Sequence, residues 1–446
     1  MSSSTNRRTF LKGAAAAGGA LLLGSRSPLR YRLASAAVAG SSGIDHIVVV
    51  TMENRSFDHF LGWLPNANGR QDDQTKRFPT KSGALVANHH LTEKMGCAHP
   101  DPDHSYEGGR FQLDGGKMDR FALGANDEFA LGYYRAADRP FMSRLALNYT
   151  TCDRYFCSIL GPTFPNRFFT HSGRTDRLDD ATTTSTLPTI WDQLNRTGGP
   201  TGRYYFSDVP FTALWGTKYL SISSPITQFL SDAATGSLPN VSYVDPRFED
   251  EGSGTSGDDH PHADIRAGDA FLAEMFHAVA TGPNWPRTAF IVTYDEWGGF
   301  YDHVAPPRVT ATSSSVDKDL VGGKALLGFR VPCIIASPFT KGDPGNPRVA
   351  HNLFDHTSLL KLIESNFALK PVGPRDASRS TRDPANLALT LRRGTGITAI
   401  PSDIPAFLPP PVVIPCSAAN PGVVSNDTNW GAIRASGLLD GWSLRA

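Results

Sequence analysis

The sequence predicts an α/β fold, with a mostly parallel central sheet, helices on both faces and long loop insertions. Three observations carry that reading. Short apolar, β-branched runs stand at residues 44–50, 289–294 and 329–336, each with the length and content of a strand buried on both faces. Amphipathic stretches at 263–280 and 357–367 alternate with them, the order of an α/β chain. The 42 Gly and 33 Pro among 446 residues demand much loop between those elements.

Taken in order, IDHIVVV (44–50) is the first strand, and Ser56 is placed to cap a helix carrying Phe57, Phe60 and Leu61. Residues 66–140 are rich in Gly, Asp, Asn and His and read as long loops with short helices. Long loops in a compact domain are uncommon and often functional. A helix begins just after Gly161-Pro162-Thr163, another covers Thr189–Leu194, and Asn240–Val244 is a short strand. Ile265, Phe271, Leu272, Met275, Phe276 and Val279 repeat at helical spacing. AFIVTY (289–294) and FRVPCIIA (329–336) are two further buried strands, and Thr357–Phe367 is a helix with Leu359, Leu360, Leu362, Ile363 and Phe367 inward. The Pro-rich stretch 400–415 reads as an extended surface wrap or a boundary. Too little chain follows it for a second core, and no internal repeat is present. The expected organisation is therefore 1–39 export signal, 40–400 catalytic domain and 401–446 C-terminal wrap or tail.

The first 39 residues hold Arg7, Arg8, Lys12, Arg26, Arg30 and Arg32 and no acid. An Arg pair before Phe10-Leu11-Lys12, a short Ala/Gly-rich apolar segment and Ala-x-Ala sites at 34–39 resemble a cleavable twin-arginine export signal. The whole chain is neutral, 43 basic against 43 acidic residues; without the signal its formal charge is −6. That sign argues against nucleic acid, which needs a basic footprint, and against a general pull toward anionic lipid. No apolar run reaches the ~18–20 residues of a membrane helix. With 40% hydrophobic and 10% aromatic residues, a disordered chain is excluded. Cys97, Cys152, Cys157, Cys333 and Cys416 are an odd set, so at least one lies outside any intrachain bridge. Buried thiols plus one bridge, its partners open, is the reading.

In open α/β sheets, ligands bind beyond the carboxyl ends of the strands. The first strand runs into Glu53-Asn54 and the second into Asp295-Glu296. Three acids and an amide oxygen suit a hard cation, although each acid alone also reads as a loop residue or helix cap. Thr163 follows a Gly-Pro turn at a helix start, where backbone N–H groups and the helix dipole favour an anion; it equally reads as an N-cap. Arg167 brings a fork suited to phosphate oxygens, and Asn166 beside it joins it as a substrate-binding candidate. Two loops carry His-Asp-Pro clusters, around His99, Asp103 and His104 and around Asp258, Asp259, His260 and His262, a composition suited to proton transfer near neutral pH or to plain exposure. His356 is expected to cap its helix, and His46 to be buried and hydrogen-bonded.

IDHIVVVTMENRSFDHFLG, DPDHSY, GPTFPNR, DDHPHADI, TYDEWGGFYDHV and DHTSLLKLIE occur in this order over residues 44–370. Together they closely resemble the phosphoesterase family that contains bacterial phospholipases C, plant non-specific phospholipases C and a branch of acid phosphatases. The resemblance implies an alkaline-phosphatase-like three-layer α/β/α sandwich. It implies one divalent metal held by Glu53, Asn54, Thr163, Asp295 and Glu296, with Thr163 as nucleophile. His104 and His260 would line the pocket and protonate the leaving group. An all-oxygen shell points to Ca2+, Mg2+ or Mn2+; a histidine joining it would point to Zn2+ or Fe. Thr163 and the Asp-Glu pair tilt the reading toward diesters. The first expectation is thus a secreted phospholipase C acting on phospholipid or another phosphoester, with peripheral membrane contact at most. A secreted acid phosphatase on the same scaffold is the second, and a non-catalytic binding protein the third.

Overall fold

The computed structural model describes residues 43–249, 251–311, 316–392, 394, 396–412, 414–416 and 429–442, and the expected export signal lies outside them. An eight-stranded sheet forms the middle layer. Its strands are β1 His46–Met52, β2 Thr150–Cys152, β3 Gly202–Phe206, β4 Ser223–Pro225, β5 Val241–Val244, β6 Thr288–Tyr294, β7 Cys333–Ala336 and β8 Val349–Ala350. In space they run β8-β2-β7-β6-β1-β5-β3-β4. Five pairings are parallel; β7 alone runs antiparallel to both its neighbours, β6 and β2. The strand expected over 329–336 starts only at Cys333, because Pro332 has no N–H to give to a ladder.

The helices are α1 Phe57–Leu61, α2 Tyr106–Leu113, α3 Pro140–Asn148, α4 Thr163–Ser172, α5 Ile226–Thr235, α6 Ile265–Ala280, α7 Thr357–Phe367 and α8 Asn429–Ala435. Their placement follows from register. Val48 pairs with Phe290 on β6, whereas Val49 pairs with Tyr243 on β5. Successive strand residues face opposite sides, so Phe290 and Tyr243 do too. Phe290 packs on Phe276 of α6, centroids 5.6 Å apart, and the Tyr243 hydroxyl donates to the Thr170 carbonyl of α4 at 2.9 Å. Helices therefore cover both faces: α3 and α5 pack with α6, and α7 with α4. Every residue of β1 and β6 is buried, which is why their sequences are continuous apolar runs without alternation.

Two expected elements change form. TIWDQL shortens to a 3-10 turn, Ile190–Asp192, whose cap Thr189 accepts from the Trp191 N–H. The C-terminal residues do not stay apart from the core. Cys416 forms a disulfide with Cys97, 319 residues away, fastening the wrap to the loop before α2. Trp430 of α8 then stacks on Phe248, centroids 3.7 Å apart, within the main hydrophobic core. Cys152, Cys157 and Cys333 are buried thiols.

Candidate active site

β1 and β6 pair in parallel with Met52 opposite Tyr294. The residues after each strand therefore leave the sheet side by side at one level. The Asp295 N–H donates to the Met52 carbonyl at 3.1 Å. Asp295 Oδ1 accepts from the backbone N–H of Asn54 (3.1 Å) and of Glu296 (2.7 Å). Asn54 has φ 56°, a left-handed turn uncommon for a residue with a side chain. Gly298 makes room for it: a Cβ there would lie 2.0 Å from the Asn54 carbonyl oxygen.

A third acid joins from β5, which ends at Val244 and runs straight into Asp245. Arg167 bridges all three strand tips. Its Nε lies 2.9 Å from Glu53 Oε1 and 3.2 Å from Asp295 Oδ2, and a terminal nitrogen lies 3.2 Å from Asp245 Oδ1. The expectation of a fork presented to phosphate is thus corrected: three buried carboxylates already occupy it. Asn166 is also redirected. Its amide donates to the carbonyls of Ile159, Gly161 and Pro162 and its oxygen accepts from the Ile159 N–H, so it ties down the turn that delivers Thr163.

Thr163 is the first residue of α4, and Pro162 before it is the N-cap, so the threonine hydroxyl is not spent on capping. Its Oγ1 lies 3.0 Å from Glu53 Oε2 and 3.3 Å from Asn54 Oδ1. The free N–H expected at this helix start already has an anion, because Phe164 N–H donates to Asp180 Oδ1 at 2.6 Å.

His104 Nδ1 faces the Pro102 carbonyl at 2.7 Å and Nε2 faces Asn54 Nδ2 at 3.3 Å. A carbonyl accepts only, so the network assigns the ring proton to Nδ1 and lets Nε2 accept from the amide. His260 stands beside it, rings 6.0 Å apart, with Nε2 3.6 Å from Asp101 Oδ2. Arg55 fixes that loop by donating to the carbonyls of Asp259 (2.5 Å) and His260 (2.9 Å). His356 is the N-cap residue of α7, as expected, but its side chain makes no cap hydrogen bond; its Nε2 donates to the Asp295 carbonyl at 2.6 Å. His46 is buried and hydrogen-bonded to the Pro239 carbonyl and Asn284.

Burial sets the electrostatics. Glu53, Asp295 and Glu296 are all fully buried. Burial pushes Glu53 well above the usual carboxylate range; Arg167 opposes, and Asp295 and Asp258 add to the rise. Burial likewise raises Glu296, opposed by His104 and reinforced by Asp295. For Arg167 burial works against the charge, but Glu53, Asp245 and Asp295 outweigh it and raise its pKa. Outside this cluster opens a cleft of about 880 Å3, with Pro102, His104, Tyr106, Pro162, Asp180 and Ala432 on its walls.

Among the described residues, Asp58, Asp302 and His303 form the acid/histidine group whose ligand atoms all lie within 4.8 Å of one another. Arg330 already fills it, with Nε 2.8 Å from Asp302 Oδ1 and a terminal nitrogen 3.1 Å from Asp58 Oδ1. It reads as a buried ion-pair knot.

Sequence reasoning missed Asp245, Asp180 and Arg55. Asp245 was within reach, since VSYVD repeats the apolar-strand-into-acid pattern that singled out Asp295. Asp180 lies in a loop with no period or motif, and nothing in ENRSFD says that its arginine turns inward.

The phosphoesterase family model matches residues 44–370. The chain belongs to the phosphoesterase family. Phosphoester hydrolysis is accordingly its chemistry. Residues 4–24 match the twin-arginine translocation signal, so this phosphoesterase is exported by that pathway. It is 32% identical to non-specific phospholipase C1 of Arabidopsis thaliana, over 73% of this chain and 67% of that protein. It is 29% identical to phospholipase C B of Mycobacterium tuberculosis, over 82% and 81%. It is 30% identical to non-hemolytic phospholipase C of Pseudomonas aeruginosa, over 82% of this chain and 60% of that one. Among solved structures, a protein in the alkaline phosphatase superfamily from Vibrio parahaemolyticus aligns with a TM-score of 0.35 at 10% identity, over 82% and 79% of the two chains.

Proposed function

We propose that this exported phosphoesterase is a phospholipase C-type phosphodiesterase, cleaving the glycerol–phosphate bond of phospholipids with Thr163 as nucleophile. The observation that carries the reading is the seat of the Thr163 hydroxyl between Glu53 Oε2 and Asn54 Oδ1. The phospholipase C names of the relatives support the substrate class. No helix among the described residues is long and apolar enough to cross a membrane, which is compatible with peripheral contact.

The donors fit a hard divalent cation. Thr163 Oγ1 sits between two oxygens, Glu53 Oε2 at 3.0 Å and Asn54 Oδ1 at 3.3 Å, the kind of oxygen cluster a hard cation takes. Glu296 Oε1 is buried with no hydrogen-bond partner, a costly state for a carboxylate. Glu53, Asn54, Thr163, Asp295 and Glu296 would hold the ion, and the all-oxygen set favours Ca2+, Mg2+ or Mn2+. Such an ion supplies a lowered pKa for the hydroxyl and neutralises charge on the phosphoryl oxygens.

The chain's own groups do the rest. Asn166 holds the turn, and Glu53 and Asn54 orient Oγ1 toward the cleft. Thr163 Oγ1 attacks phosphorus in line, and the diacylglycerol oxygen leaves. His104 or His260, entering the step as imidazolium, gives that oxygen its proton, and Glu53 Oε2, 3.0 Å from Thr163 Oγ1, takes the proton the hydroxyl gives up. Water then hydrolyses the phosphothreonine diester and frees the phosphorylated head group. Arg167 touches no substrate in this scheme; it holds Glu53 and Asp295 apart at the spacing the site needs.

The test is turnover of p-nitrophenyl phosphorylcholine against p-nitrophenyl phosphate, with metal analysis, on the wild type and Thr163→Val. Removing one preorganised group costs ~10²–10³ in rate in well-studied cases, and this variant removes a nucleophile and a ligand together. Thr163→Val turnover within tenfold of wild type refutes the nucleophile; preference for the monoester refutes the diesterase.

A further inference from the structure

We propose that Asp180 selects diesters over monoesters by charge: its carboxylate stands at the start of the nucleophile helix, where it repels a phosphoryl group with a second negative charge. The inference rests on the reading of Thr163 as nucleophile and adds the residue that chooses among phosphoesters.

Three observations lead there. Phe164, whose N–H donates to Asp180 Oδ1 at 2.6 Å, is the residue next to Thr163. In a ten-residue helix with no side-chain N-cap, that first turn is where an incoming phosphoryl oxygen would be drawn. Here the protein supplies the anion itself, from a separate loop. Asp180 is half-buried and shares the cleft wall with His104 and with Pro162, the residue before Thr163. Lys318 is the basic residue on the same wall, and Asp101, Asp103, Glu107 and Asp179 add to the negative side.

The chemistry follows. A phosphate monoester loses its second proton near pH ~6 and carries two negative charges at neutral pH. A diester carries one, because a further oxygen is esterified. Facing the ligand cluster, either ester places negative oxygen toward the acids that hold the cation. Only the monoester must place it toward Asp180 as well. A protein built to bind dianions would leave the Phe164 N–H open to them.

Metal-loaded wild type, Asp180→Asn, Asp180→Ser and Asp180→Glu are compared at neutral pH by kcat/KM on p-nitrophenyl phosphate and p-nitrophenyl phosphorylcholine. The dissociation constant of inorganic phosphate is measured for each by calorimetry. Asn and Ser keep an oxygen for the Phe164 N–H and lose the charge; Glu keeps the charge. The monoester-to-diester ratio is expected to rise about tenfold in both neutral variants, from one charge removed at a few ångströms in a half-buried site. Phosphate should bind about tenfold more tightly to them, and Asp180→Glu should keep the wild-type ratio. A ratio within twofold of wild type in the neutral variants overturns the proposal. So does loss of bound metal in Asp180→Asn, which would make Asp180 a ligand. If the wild type hydrolyses neither ester, the phosphodiesterase reading falls, and the phosphate constants still judge Asp180.

Discussion

Residues 53–58 and 295–303 each contribute to two acid clusters. Glu53 and Asp295 meet Arg167 at the strand tips; Asp58 and Asp302 meet Arg330 a few residues further along the same two segments. All four acids are at most 2% exposed, and both arginines are buried. The clusters differ in what is left over. Each carboxylate oxygen of Asp58 and Asp302 has two donors, drawn from Arg330, His303 and the N–H groups of residues 58, 70, 303 and 304. At the strand tips Glu296 Oε1 has none, and one hydroxyl sits between two oxygens. The tighter cluster is therefore the finished one. Closeness of ligand atoms marks a completed ion pair as readily as a metal site, and unused valence separates the two.

Removing each arginine in turn should separate the two clusters. Arg167→Met and Arg330→Met both strand buried carboxylates, which costs roughly 3–5 kcal/mol of stability where a buried pair is broken. Denaturant unfolding should show a loss of that size in both. Turnover per folded molecule should then separate them. It should fall at least tenfold in Arg167→Met, because Glu53 and Asp295 lose the group that spaces them, and stay near wild type in Arg330→Met. Equal activity losses would mean that the clusters are not functionally distinct.

Metal binding sharpens the contrast. Glu296→Gln removes the unfilled oxygen's charge, and a change in a metal's immediate surroundings typically costs 10–100-fold in affinity. Asp302→Asn should leave metal affinity and stoichiometry unchanged while lowering the melting temperature. Titration of the stripped proteins with Ca2+, Mg2+ and Mn2+ checks both. Metal lost from Asp302→Asn and retained by Glu296→Gln would place the ion in the other cluster.

How much of this was legible beforehand depended on the kind of signal. β1, β6 and α6 announce themselves through burial on both faces or a 3.6-residue period. Glu53 and Asp295 were found because an acid that ends an apolar strand is conspicuous. Their meeting needs the Met52–Tyr294 register, which no local pattern encodes. Arg167 and Asn166 show the opposite limit. Their chemistry, a fork and an amide, was readable; their partners were not, because both side chains turn inward from the helix that carries them. Asp180 and the Cys97–Cys416 pairing join segments brought together only by the fold.

An acid pair that has no arginine calibrates the two clusters. Glu364 lies beside Asp376, and its carboxyl oxygen accepts from the Val372 N–H at 3.0 Å. Burial, then the hydrogen bond and charge of Asp376, push it up to about 10. A carboxyl raised in the folded state binds more protons there than when unfolded, so its contribution to stability is full below pH ~4.5 and lost as pH rises toward ~10. Glu364→Gln keeps the proton-bearing shape without the ionisation. It should melt with the wild type near pH 4.5 and above it at pH 8, with the gap widening as pH rises between them. A difference that fails to grow with pH would mean that the two acids share no proton. A growing one would show what the strand tips would cost this fold if neither Arg167 nor a cation stood among them.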